Sequence, residues 1–186
     1  MKKESLKEKN NLFVYIMLFF TLAFIGWCFE VLNEIRKGHG FINRGVLHGP
    51  LLPIYGFGGL IIYILLKKFY KKPIIVFSLS FIISAVIEYA TSFYLELTKG
   101  MVWWDYSKKP FNLNGRICLL YTLVFALFAT ILYYFVIPKI INLLKKINYK
   151  VLSAISIILL SLYLVDNIYS TKKPNIVRGA HIVRKN

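Results

Sequence analysis

Residues 73–95 read PIIVFSLSFIISAVIEYATSFYL: 23 residues in a row without a lysine or arginine, carrying one carboxylate, Glu88. A helix rises about 1.5 Å per residue, so about 20 apolar residues cross a hydrocarbon core of roughly 30 Å. Four further runs have the same character, at 12–29, 45–66, 117–138 and 151–171, and all 24 Lys and Arg fall outside the five. Over 186 residues, 58% are hydrophobic and 17% charged, with a mean hydropathy of +0.60. That balance excludes a water-soluble domain of this length. Long uninterrupted runs lack the in-out alternation of barrel strands, and lipid offers backbone groups no water, so helices are the spanning form.

The expectation is therefore an all-α, polytopic integral membrane protein. Five transmembrane helices, at about 12–32, 45–66, 73–97, 117–138 and 151–171, make one domain over 1–171, followed by a basic tail at 172–186. The first run follows Lys2, Lys3, Lys7 and Lys9 like a secretory signal, but Gly26, Trp27 and Cys28 give no small-x-small cleavage pattern. It is expected to remain as a span.

The formal charge of +16 is spread over both tails and four connectors, as in headgroup flanks. The partner this implies is the lipid bilayer, with no nucleic acid. Basic residues divide twelve to twelve between the two sides; setting aside Arg44 and Arg116 at helix starts leaves twelve against ten, which places the amino terminus in the cytoplasm. Cys28 and Cys118 form no C-x-x-C pair, and three histidines lack ligand spacing, so neither a metal nor a cofactor is expected. No Ser-His-Asp order, H-E-x-x-H or phosphate-binding loop occurs, and the reading leans away from an enzyme.

Polar residues gather on one side. Glu30, Glu34, His39, Arg44, His48, Glu96, Trp104, Asp105, Asn114 and Arg116 all belong to the first and third connectors or the span ends beside them. Glu88 lies deeper, roughly 22 Å into its run, where a carboxylate costs about 3 kcal/mol and requires a partner or a wet cavity. Ser80, Ser84, Thr91, Ser92 and Glu96 share its face at helical spacing, a stripe that cannot front lipid. It serves either packing or the wall of a hydrophilic pocket. Glu30 and Glu34 face Arg44 and His48 at matching i, i+4 spacing, allowing two ion pairs, either as ties between helix ends or as support for an anion-binding Arg44. Asp105 could reach Arg116 or Arg44 and hold the third connector as a lid over Glu88. Its tryptophans could equally be interface anchors.

The second run opens Gly45, Val46, Leu47, His48, Gly49, Pro50, Leu51, Leu52, Pro53, a poor helix. Such a broken or re-entrant segment survives in lipid only where protein or a water-filled cavity covers its backbone, as in many transport sites.

Several motifs in order resemble the CmpB-like ABC transporter type IV membrane proteins. They are Asn43-Arg44-Gly45-Val46-Leu47-His48-Gly49-Pro50, Pro53-Ile54-Tyr55-Gly56, Glu88-Tyr89 with Thr91-Ser92 and Glu96, Trp104-Asp105-Tyr106-Ser107 and Asn114-Gly115-Arg116-Ile117-Cys118-Leu119. The likeness covers roughly 26–127, with His48 where members usually carry an aromatic residue. It implies a bacterial inner-membrane permease component. With no phosphate loop in the chain, an ATPase would be a separate subunit. The site read from these residues is Glu30, Arg44, Tyr55, Glu88, Glu96, Trp104, Asp105, Tyr106, Asn114 and Arg116. Alternatives are a membrane enzyme acting on a lipid or lipid-linked headgroup, and an accessory or assembly subunit.

Overall fold

Four of the five apolar runs fall in long helices, and the second does so only in part. In this computed structural model residues 2–176 are described, with side chains from Leu12 onward. The tail at 177–186, with His181, lies outside the described residues, as do the side chains of Lys2, Lys3, Lys7 and Lys9. Helix α1 spans Lys2–Arg36, α2 Pro53–Leu66, α3 Pro73–Lys99, α4 Leu119–Ile131, α5 Ile137–Leu144 and α6 Tyr149–Lys172. Helix α1 runs four residues past its expected end, so Glu34 is helical. A short hairpin, β1 (Asn112–Leu113) against β2 (Ile117–Cys118), precedes α4. Its tip turns through Asn114 and Gly115, both at positive φ.

Among the described residues four helices are long and apolar enough to cross a membrane: Leu12–Arg36, Pro73–Lys99, Leu119–Leu144 and Tyr149–Lys172. The third of these includes a π-helical turn at Leu132–Val136 between α4 and α5. Pro138 explains it, because proline has no N–H to donate and its ring crowds the carbonyl four residues back. The second run, expected as a span over 45–66, is helical for only 14 residues, from Pro53. Residues 45–52 form no helix, as Pro50 and Pro53 with Gly45 and Gly49 dictate.

The described chain divides into two compact units, residues 2–60 with 134–175, and residues 61–133. In the first, α1 packs on α5 and α6, with Phe13 against Tyr149 and with Phe19 and Phe20 both against Tyr163. Helix α2 closes on α1 where glycines let it approach. A methyl on Gly56 would sit 2.8 Å from the Phe19 carbonyl oxygen.

In the second unit α3 packs along α4. Its buried positions, Val76, Ser80, Glu88, Ser92 and Leu95, form one helical stripe. The outward side chains are large and apolar: Ile74 is 80% exposed and Leu97 73%, with Ile82, Val86 and Phe93 between them. An exposed face of that composition is unstable in water and natural in lipid. Tyr133, at the start of the π turn, donates its hydroxyl to the Leu66 carbonyl at 3.0 Å and fixes the end of α2.

Candidate functional site

The polar residues fall into two clusters, one in each unit. In the first, Glu30 near the end of α1 accepts a hydrogen bond from the Tyr55 hydroxyl at 2.7 Å and faces Arg44 Nε at 3.7 Å. That Nε is buried and makes no hydrogen bond, so the contact with Arg44 is purely electrostatic. Tyr55 reaches Glu30 because Gly26 leaves room. A methyl there would lie 2.6 Å from Tyr55 Cβ and closer still to its ring.

The segment 43–52 is held by hydrogen bonds with α1, with α6 and with Asn175. Leu52 N–H donates to the Ala23 carbonyl, in the middle of α1, at 3.1 Å. Trp27 donates to the Asn43 side-chain oxygen at 2.6 Å, and Asn43 Nδ2 to the His48 carbonyl at 2.8 Å. The backbone N–H groups of His48 and Gly49 both donate to the Asp166 carboxylate of α6, at 3.1 and 2.8 Å. Beyond the end of α6, Asn175 donates through Nδ2 to the carbonyls of Asn43 and Gly45 and through its backbone N–H to that of Val46. These bonds to α1, α6 and Asn175 give backbone groups of the irregular segment protein partners.

Asp166, an acid within the last apolar run, is the centre of this arrangement. His48 Nδ1 lies 3.1 Å from Ser170 Oγ, and Ser170 donates to Asp166 at 2.9 Å. The trio carries catalytic residue types without catalytic geometry. The serine's proton is committed to the carboxylate rather than the imidazole, and Ser170 is buried. Of the two facing ion pairs expected, Glu30–Arg44 forms. The second does not, because Glu34 turns to Lys37 at 2.7 Å and His39 at 2.8 Å, close by along the chain, while His48 belongs to Asp166.

In the second cluster Glu88 is buried together with Ser80 and Ser92, so the polar stripe of α3 faces protein as its cost in lipid demands. Tyr106 donates to Glu88 Oε1 at 3.1 Å and stacks on Tyr121 with ring centres 4.9 Å apart. The backbone of Tyr106 is tied to the Gly115 carbonyl at 2.8 Å.

The carboxylate that pairs with Arg116 is Glu96, at 2.6 Å, not Asp105. Asp105 accepts from the Ser107 N–H and hydroxyl, a local turn two residues long that draws it back along the chain. Trp104 donates to the Arg116 carbonyl at 2.8 Å, and Asn114 Nδ2 to the Tyr89 hydroxyl at 2.9 Å. Of the expected site residues, the structure therefore joins Glu30, Arg44 and Tyr55 in one unit and Glu88, Glu96, Trp104, Tyr106, Asn114 and Arg116 in the other. Trp27, Asn43, Asp166, Ser170 and Asn175 are added by the structure. A lone Asp inside a span was the available signal for Asp166, since such an acid needs donors.

Among the described residues no group of three or more His, Cys, Asp or Glu side chains could hold a metal ion. Cys28 and Cys118 are free thiols.

Four membrane-length apolar helices and an irregular segment packed among helices define a multi-pass, helical membrane protein. The family described as "Putative ABC-transporter type IV" matches residues 17–171. The chain belongs to that family, a transport-related one. No curated protein and no solved structure matches it.

Proposed function

We propose that the protein is a permease component of a bacterial cytoplasmic-membrane transporter, working with a separate ATPase or other membrane subunit. Both units serve one transmembrane domain over 1–171, with the amino terminus in the cytoplasm. The second run completes a fifth crossing. Its 14 helical residues rise about 21 Å, and the non-helical residues before them supply the rest. The polar clusters receive a polar or anionic solute on one side of the membrane, with Glu30, Arg44 and Tyr55 at one and Glu88, Glu96, Trp104, Tyr106, Asn114 and Arg116 at the other. Asp105 shapes the connector between them in sequence.

The observation that carries this reading is the non-helical 43–52 segment, whose backbone is satisfied by Asp166 and Asn175 while Leu52 bonds mid-helix on α1. Discontinuous backbone held at membrane depth is how transporters build solute sites. The enzyme alternative gains nothing from the Ser170–His48–Asp166 geometry.

The test is solute flux in reconstituted vesicles, with and without the co-purifying subunit. Arg44→Ala and Glu88→Gln should insert normally and abolish or strongly reduce flux. Unchanged movement of every solute tested, with both variants correctly inserted, refutes the proposal. An altered lipid profile on deletion, abolished by the same variants, transfers the case to the headgroup enzyme.

A further inference from the structure

Arg116 is a cation used along half of one edge. Its side chain keeps only 9% of its surface exposed, and its guanidinium lies 5.5 Å from the ring centres of both Tyr89 and Phe93. Nη2 meets Glu96 at 2.6 Å, while the Nε–H is buried and makes no hydrogen bond. A guanidinium presents its N–H groups as a fork, and a carboxylate in the best geometry takes two of them in parallel. Glu96 is 22% exposed on its side chain and engages Nη2. A buried donor without an acceptor destabilises the fold, and native structures rarely retain one without reason.

The hairpin does not supply that reason. The backbone of Arg116 is already held by its own N–H to the Leu113 carbonyl at 3.0 Å and by the Trp104 indole on its carbonyl. The geometry points to an oxyanion site at Arg116, in which a carboxylate or phosphate oxygen of a ligand accepts from Nε–H beside the Glu96 contact. This rests on the transport reading and deepens it by naming the chemical class of what is bound. The Nε–H is itself out of reach of water, which strengthens a charge-assisted bond made there. Glu96 is the built-in competitor: it neutralises the arginine while the site is empty and limits how tightly an anion holds.

The experiment is calorimetric titration of the full chain in detergent, with inorganic phosphate in one arm and a short-chain phosphatidate in the other. Saturable binding in the phosphate arm identifies a soluble anion as sufficient; binding in the phosphatidate arm alone identifies a lipid headgroup. Either supports the site when Arg116→Gln weakens binding about tenfold or more, the loss expected for one charge-assisted hydrogen bond. Glu96→Gln removes the competitor and should tighten binding, a gain that misfolding cannot mimic. The site is overturned if neither probe binds, if folded Arg116→Gln binds as the parent does, or if Glu96→Gln weakens binding. Absent binding with vesicle flux intact removes the oxyanion site alone. Intact binding with no flux removes the transport reading alone.

Discussion

Replacing Asp166 tests whether the irregular segment is fixed or free. Its carboxylate is 17% exposed on its side chain and accepts from two backbone N–H groups and the Ser170 hydroxyl, at 3.1, 2.8 and 2.9 Å. Hydrogen bonds to a charged group contribute about 1.5–3 kcal/mol each, and stranding a buried donor costs a further ~1–3 kcal/mol. The three share one residue and do not add, so Asp166→Ala should shift the local opening equilibrium of 43–52 by about 3 kcal/mol, or over a hundredfold. Asp166→Asn keeps one oxygen for His48 and Ser170 but turns an NH2 toward the Gly49 N–H, so about 1.5 kcal/mol, or tenfold, is expected. Leu47 is buried, so Leu47→Cys, in a background with Cys28 and Cys118 replaced by serine, reports opening through its labelling rate with a thiol reagent. The rate should rise in the order parent, Asn, Ala. Equal rates in all three, with each protein folded, would mean that the segment is held by something other than Asp166.

Other substitutions probe neighbouring features. Gly26→Ala drives a methyl into Tyr55, costs about 1–3 kcal/mol as overpacking and pushes the phenol from Glu30, visible as a lower unfolding temperature in detergent; an unchanged temperature contradicts the close approach. At Asn114, where φ is +53°, Gly should be tolerated better than Ala by about 1 kcal/mol, because a Cβ is strained in that conformation. Equal stability of the two variants rejects the assigned turn. Trp27→Phe removes the donor to Asn43 while keeping an aromatic ring, and should raise Leu47→Cys labelling about fivefold, as loss of a hydrogen bond of ~1 kcal/mol predicts; no rise dismisses that bond as a tether.

The four membrane-length helices were legible because a lipid-compatible helix leaves a simple record: 20-odd residues without a cation. The stripe Ser80–Glu88–Ser92 was legible for the same reason, since helical periodicity places those residues on one face and lipid forbids that face. What the sequence hid is pairing across distance. Glu96 and Arg116 are 20 residues apart and meet only because the hairpin turns back along α3. Asp105 looked equally suited to Arg116, but a serine two residues on captured it. Asp166 finds its donors 117 residues earlier in the chain, and no spacing rule spans that interval. In the second run residues 45–52 are non-helical and the helix begins only at Pro53, a length that local composition could not set.

The clasp of Asn175 and Asp166 on residues 43–49 also sets an order of assembly. Translation proceeds at about 5–20 residues per second, so the first connector emerges roughly 6–25 s before the groups that complete its hydrogen bonds exist. During that interval its amide groups must rely on water, on the insertion machinery or on a chaperone. Ribosome-stalled chains that stop short of residue 166 should therefore leave this connector open to protease, and lengthening the chain past residue 175 should close it.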